Sequence, residues 1–327
     1  MKKFFIALLV IILIGAAAVG AYYCYPLLTG VLDSAPEPEP EKLVPNIYTD
    51  TPPMDVPTAL PIDFSGGSPA NIYNLTKTSY EDESIKIDIK YESYNNQRCY
   101  YAYVEIAHPS QLRTAFSGGS YDSKVRETVS QMAKRQQAVL AINSDFCNYR
   151  KDGIIIRQAQ LYRNKPSYRD VLMIDADGDF IIKKEKEEGF NAEKFHDEHM
   201  IFNSFSFGPA LIIDGVRQKI PGYYEEGIIH QPAARAAIGQ LGHLKYLILL
   251  VDGQQDDYDG LTVSQVAALM EKKGCTQAYN LDGGQSAVML LNNRVINSVA
   301  LGGEKRMSDC IYFASTRKII ERDRRFE

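Results

Sequence analysis

LKYLILLVDGQQDDYDGLTVSQVAALMEKKGCTQAYNLDGG, Leu244–Gly284, is the stretch on which the reading of the fold turns. Leu244 to Val251 is apolar at nearly every residue, the pattern of a strand buried on both faces, and Asp252 ends it. After a polar loop, Thr262 and Gln265 form a capping box for a helix with Val263, Val266, Ala267 and Met270 on one face, closed by Lys272, Lys273 and Gly274. QAYNL then supplies a second strand. Strand, helix and strand of these lengths make a βαβ crossover, so the two strands run parallel and place Asp252 and Asp282 on one edge.

Working outward, SIKIDIKY and CYYAYVEIA flank Asn95-Asn96 and read as a hairpin, as do GIIIRQAQLYR and VLMIDADGDFIIKK. Asp122 is placed to cap a helix carrying Val125, Thr128, Val129, Met132 and Ala133, which leads into the apolar strand AVLAIN. If that strand joins the central sheet, Asp145 arrives as a third carboxylate at a strand end. The expected class is α/β with mixed α+β content: a central mixed sheet with hairpins and one βαβ unit. In open α/β sheets ligands bind outside the carboxyl ends of the strands, which singles out Asp145, Asp252 and Asp282.

The acidic DADGD turn, Asp175 to Asp179, fails as a calcium loop, because an EF-hand needs Gly at its sixth position and Glu at its twelfth, where Phe180 and Lys186 stand. The five cysteines include no CxxC pair and no histidine at metal-site spacing, so no metal or other cofactor is expected. Four of them, Cys99, Cys147, Cys275 and Cys310, lie in the folded part, and their spacing selects no disulfide pairing. The net charge of -5, without a basic face, argues against nucleic acid as a partner.

Residues 1–32 contain Phe4 to Leu28, an apolar run without a charged side chain and long enough to cross a bilayer as a helix. Lys2 and Lys3 before it and acids after it place the N-terminus inside and the bulk outside, as a single-pass anchor or, if cleaved, an export signal. Residues 33–70 hold nine of the fifteen prolines and read as an acidic linker; one domain follows over 71–316, and 317–327 is a charged tail.

Clustered carboxylates raise one another's pKa and make an acid or base usable near neutrality, as glycosyl transfer to water requires. Arg157 and Arg235 are spaced to project from β structure, and a guanidinium matches phosphate through two parallel hydrogen bonds. Gly283 and Gly284 offer backbone N–H groups for an anion, with Ser286 as a further donor. Acids for a sugar carbon and donors for a phosphate suggest a sugar joined through phosphate.

AINSDF, GIIIR, FGPALIIDG, ARAAIG, VDGQQDDYDGLTVSQVAALM and NLDGGQSAVML, in this order, resemble the phosphodiester glycosidase family over about residues 85–313. The resemblance implies hydrolysis of a sugar-1-phosphodiester. It carries Asn143, Asp145, Arg157, Arg235, Asp252, Gly253, Asn280, Asp282, Gly283, Gly284, Ser286 and Glu304 as site residues, with Asp282, Asp252 and Asp145 in catalytic roles and the others binding substrate. The chain departs from the family's usual pattern at Gln254 and Lys305, where Arg is common, at Gln285 in place of Gly, and at ARAA in place of PRTA. These departures keep open a non-catalytic glycan-binding or polymer-assembly role. A metal-dependent phosphodiesterase cutting P–O instead is disfavoured by the lack of a histidine-rich ligand set.

Overall fold

The computed structural model describes residues 59–222 and 229–316. The apolar run expected to form an anchor and the charged tail both lie outside the described residues. Among the described residues no helix is long and apolar enough to cross a membrane. Residues 59–70, assigned above to the linker for their prolines, are instead bound to the domain. Leu60 is buried and its N–H donates to Ser110 Oγ, Arg113 donates to the Pro61 and Asp63 carbonyls, and Ser68 bridges Ser315.

The chain begins with β1 (Ser79–Glu81), β2 (Ile85–Tyr94) and β3 (Gln97–Ile106), then crosses to β4 (Leu112–Phe116). The β2–β3 hairpin turns at Asn95 and Asn96, both at positive φ, as a tight hairpin turn requires. Helix α1 (Val129–Arg135) leads to β5 (Leu140–Asn143). It starts later than expected, because Thr128 and Gln131 form a capping box that satisfies two backbone N–H groups, whereas Glu127 is pinned in a bridge to Met307.

Two hairpins follow as expected, β6 (Gly153–Arg157) with β7 (Gln160–Lys165) and β8 (Asp170–Ile174) with β9 (Phe180–Lys184). Beyond α2 (Ala192–His199) come β10 (Asn203–Phe205), β11 (Ala210–Ile213) and β12 (Val216–Arg217). The crossover unit comprises β13 (Arg235–Gly242), β14 (Lys245–Val251), α3 (Val263–Lys272) and β15 (Gln277–Asn280). Strands β16 (Met289–Leu291), β17 (Arg294–Val295) and β18 (Asp309–Phe313) complete the domain.

Two sheets, ordered β1-β2-β3-β14-β13-β15-β11-β12 and β17-β16-β5-β18-β4, enclose a shared core that includes Ile87, Ile248 and Tyr279 from the first and Ile142, Met289 and Ile311 from the second. Helix α3 covers the outer face of the first sheet, packing Val263, Val266 and Met270 on Leu247, Leu249 and Ala278. Helix α1 covers the second in the same way, with Val129, Met132 and Ala133 on Ala141 and Tyr312. The architecture is therefore helix, sheet, sheet, helix, and it is dominated by strands.

Two expectations are corrected here. The sheets are not mixed: every ladder between the named strands is antiparallel. Strands β14 and β15 do run parallel to each other, but β13 lies between them and pairs with both, because β13 folds back on β14 as a hairpin before the helix crosses over. Strand β5 also belongs to the second sheet, so Asp145 does not sit on the edge that carries Asp252 and Asp282.

Candidate active site

The inserted strand sets the geometry of the edge. Ala233 to Arg235 runs between the two Asp-Gly loops: a Cβ on Gly283 would lie 2.6 Å from the Ala234 carbonyl oxygen, and one on Gly253 would strike the Ala234 backbone. Both positions therefore need glycine for close backbone approach. With one strand between them, the two loops stand about 10 Å apart, two strand spacings. Asp252 and Asp282 share an edge without sharing a contact.

Asp282 is held from the second sheet. Asn143 Nδ2 donates to its carbonyl at 2.7 Å, and its N–H donates to the Ser144 carbonyl at 3.3 Å. Asn280 anchors the strand before it, donating through Nδ2 to the Gly208 carbonyl at 2.8 Å. One carboxylate oxygen of Asp282 accepts from the Gly283 N–H at 2.9 Å; the other, Oδ2, is buried and has no hydrogen-bond partner among the described residues. Burial raises the Asp282 pKa, and the neighbouring Ser286 hydroxyl, Lys305, the Gly283 N–H and Arg150 only partly oppose it. Arg235 completes the ring of cations. It is buried, its Nε donates to the Leu261 carbonyl, and burial lowers its pKa to about 10 against the pull of Asp282.

Aromatic rings contact two of these cations. Phe146 adopts the left-handed region at φ 65, uncommon for a bulky residue, and stacks on Tyr149 at 4.1 Å. Lys305 Nζ lies 4.5 Å from the centroid of the Phe146 ring, and the Arg150 guanidinium lies 4.6 Å from that of Phe207. Lys305 thus stands between an aromatic face and the Asp282 carboxylate.

Asp145 and Arg157 form a second, sealed centre. All five N–H donors of Arg157 are taken: Nε and Nη2 by Asp309 Oδ2 at 3.1 and 2.8 Å, Nη2 also by Asp145 Oδ1 at 2.9 Å, and Nη1 by the Ile156 and Ser204 carbonyls. Burial alone would lower the Arg157 pKa, but Asp145 and Asp309 outweigh it and raise it. Asp309 is in turn raised by burial, with Arg157 opposing. A guanidinium without exposed surface or spare donor cannot receive a phosphate, so Arg157 does not reach the cleft. Asp145, Cys147 and Asp309 bring ligand atoms within 4.8 Å of one another, as a metal site would, but Arg157 already supplies the cation there. All four cysteines of the described residues are buried free thiols.

Asp252 forms a third centre. Its carboxylate accepts from the Tyr100 hydroxyl at 2.7 Å and the Ser298 N–H at 3.1 Å, with Arg98 at 3.8 Å, and burial raises its pKa against these partners. Glu304 turns the other way: it accepts from the N–H and hydroxyl of Ser130, capping the first turn of α1. It does not join the cleft.

Of the expected residues, the structure thus gathers Gly283, Gly284, Ser286 and Arg235 around Asp282, with Asn143 and Asn280 supporting the loop. It pairs Asp145 with Arg157 and Asp309, and Asp252 with Tyr100 and Arg98, while Gly253 abuts the same Ala234 backbone as Gly283. Sequence reasoning missed Asp309, Arg150 and Phe146. Asp309 opens the apolar run CIYF as Asp145 follows AVLAIN, a signal that was present; Phe146 is the last residue of AINSDF itself, and Arg150 follows it by four residues.

The fold thus packs two principal sheets face to face and places a buried carboxylate, Asp282, near Arg235, Lys305 and Arg150. Within it, the phosphodiester glycosidase family model matches residues 136–314, and the chain belongs to that family. The SPbeta prophage-derived uncharacterized protein YomE of Bacillus subtilis (strain 168) is 28% identical over 206 residues, covering 57% of this chain and 29% of YomE. The chain therefore spans less than a third of that relative's length. The auto-inhibited catalytic domain of zebrafish N-acetylglucosamine-1-phosphodiester alpha-N-acetylglucosaminidase superposes with a TM-score of 0.56 at 20% identity, covering 76% of this chain and 87% of that one. A hypothetical protein from Synechocystis gives 0.50 at 14% identity, covering 70% and 62%. Both share the fold.

Proposed function

We propose that the domain hydrolyses a sugar-1-phosphodiester in the cleft around Asp282, releasing free sugar and a phosphomonoester. The observation that carries this reading is Asp282 Oδ2: a buried carboxylate oxygen without a well-formed hydrogen bond among the described residues, on a group whose pKa is raised, near the Ser286 hydroxyl, Arg235, Lys305 and Arg150. Buried polar atoms are almost always satisfied, and an exception next to a perturbed pKa is a common mark of a reacting group.

In this reading the cations attract the phosphodiester anion and stabilise it as it departs. Asp282, whose pKa burial raises, gives its proton to the oxygen that leaves the anomeric carbon. Water adds its hydroxyl to that carbon and returns a proton to Asp282, which balances the step. Asp145, Arg157 and Asp309 act one layer behind: Asp309 accepts from the Ser144 hydroxyl, and Ser144 holds the Asp282 N–H.

The apolar run at residues 4–28 suggests an outward-facing, membrane-anchored form, and the family supports a phosphodiester-linked sugar as substrate. The test is release of sugar from a glycosyl-1-phosphodiester by the full chain and by Asp282→Asn. The reading predicts turnover in the parent and a loss of about 10³-fold or more in the variant. Equal turnover in both would refute the assignment of Asp282. Binding without turnover in the parent would favour the glycan-binding role.

A further inference from the structure

A groove of about 470 Å³ opens beside the Asp252 loop, lined mainly by residues 91–100 of the β2–β3 hairpin together with Tyr258 and Ile296. Its origin lies in the register of the β2–β3 hairpin. Ile85, Ile87 and Ile89 point into the core, and Tyr91 continues the same row, but it is 49% exposed. Tyr91 pairs directly with Tyr100 across the ladder, edge to face at 5.2 Å, and Tyr100 donates to the buried Asp252. The groove thus contains a fixed aromatic pair tied to the same strand end that carries the Asp-Gly motif.

A third ring in the lining is Tyr258, from the loop between β14 and α3. Arg98 fixes it, donating to the Tyr258 hydroxyl at 2.8 Å with its guanidinium 5.1 Å from the ring centroid. Charge decides between ligands. Arg98 is committed to Tyr258 and Asp252, and Glu92 to Lys273, while Asp256, Asp257 and Asp259 on the same loop are exposed and repel anions. A free phosphate is disfavoured there. A pyranose ring suits such a groove, since its C–H face packs on aromatic rings while its hydroxyls meet Ser93, Asn96 and the tyrosine hydroxyls at the edge.

We infer that this groove is a subsite for a neutral saccharide segment, separate from the cleft that holds the phosphodiester. Two segments join the regions: the Asp252 loop, whose Gln254 Oε1 would lie 3.1 Å from a Cβ on Gly284, and residues 296–305, which run from the groove wall at Ile296 to Lys305. Ser298 links them, donating to Asp252 and accepting from Gln255. The inference deepens the hydrolytic reading, because the saccharide is taken to be the non-reacting part of the same substrate.

The experiment is saturation-transfer NMR with the full chain in detergent against neutral tetrasaccharides of glucose, galactose, mannose and N-acetylglucosamine, with inorganic phosphate as competitor. At least one tetrasaccharide binds, Tyr91→Ala and Tyr258→Ala each weaken it about tenfold, and phosphate does not displace it. Asp282→Asn leaves this binding intact while losing hydrolysis, so failure of the hydrolytic reading appears separately as hydrolysis surviving that change. No binding by any tetrasaccharide, equal binding to parent and Tyr91→Ala, or displacement by phosphate would each overturn the subsite.

Discussion

Replacing Arg157 by Met tests whether the buried Asp145–Arg157–Asp309 centre holds the second sheet together. The change removes five donated hydrogen bonds and leaves two carboxylates buried beside each other without a cation. Breaking a buried ion pair from one side costs about 3–5 kcal/mol, a large share of a typical total stability of about 5–15 kcal/mol. At about 2–4 °C per kcal/mol for a domain of this size, the melting temperature falls by roughly 6–20 °C. The pH dependence gives the sign. Asp309 already has a raised pKa with Arg157 opposing the rise, so removing Arg157 raises it further. The folded variant then binds a proton that the unfolded chain releases at its ordinary value, and its stability falls as pH rises through that window. Urea unfolding of parent and variant across pH should therefore show the deficit largest at neutral and alkaline pH and shrinking towards acid. Arg157→Lys, which keeps the charge but lacks the fork, should fall between them. A variant as stable as the parent at neutral pH, or a deficit that grows on acidification, would refute the reasoning.

Two other outcomes follow from the same geometry. Lys305 opposes the rise of the Asp282 pKa, so Lys305→Met raises it further; if Asp282 acts as the acid, the alkaline fall in the pH–rate profile moves to higher pH, and a shift to lower pH would contradict that role. Gly260 sits at φ 96 with the Ala233 carbonyl where a Cβ would be, so Gly260→Ala should cost about 3 kcal/mol or more in urea unfolding, and a cost under about 1 kcal/mol would show that the loop yields.

Local chemistry made much of the fold legible. The Thr262–Gln265 capping box, the Asn95-Asn96 turn and the uninterrupted apolar run of β14 each specify a structure within a few residues, and each is present. What the local signals could not supply was strand order. A βαβ pattern fixes the relative direction of β14 and β15 but not whether a neighbour lies between them, and the small residues of ARAAIG let β13 fit there. The same limit applied to the site. Asp145 and Arg157 are close in sequence, but the partner that seals them, Asp309, is 152 residues from Arg157, and nothing local to GIIIR tells a buried guanidinium from a substrate-facing one. Glu304 was misplaced for a like reason, since its partner Ser130 comes from a helix start 174 residues earlier.

The central claim, that the bond broken joins the anomeric carbon to oxygen, is tested most directly by hydrolysis of a glycosyl-1-phosphodiester in water labelled with heavy oxygen. Attack at the sugar carbon puts the label in the released sugar, and that is the expected result. Label found in the phosphomonoester would mean attack at phosphorus and would contradict the account.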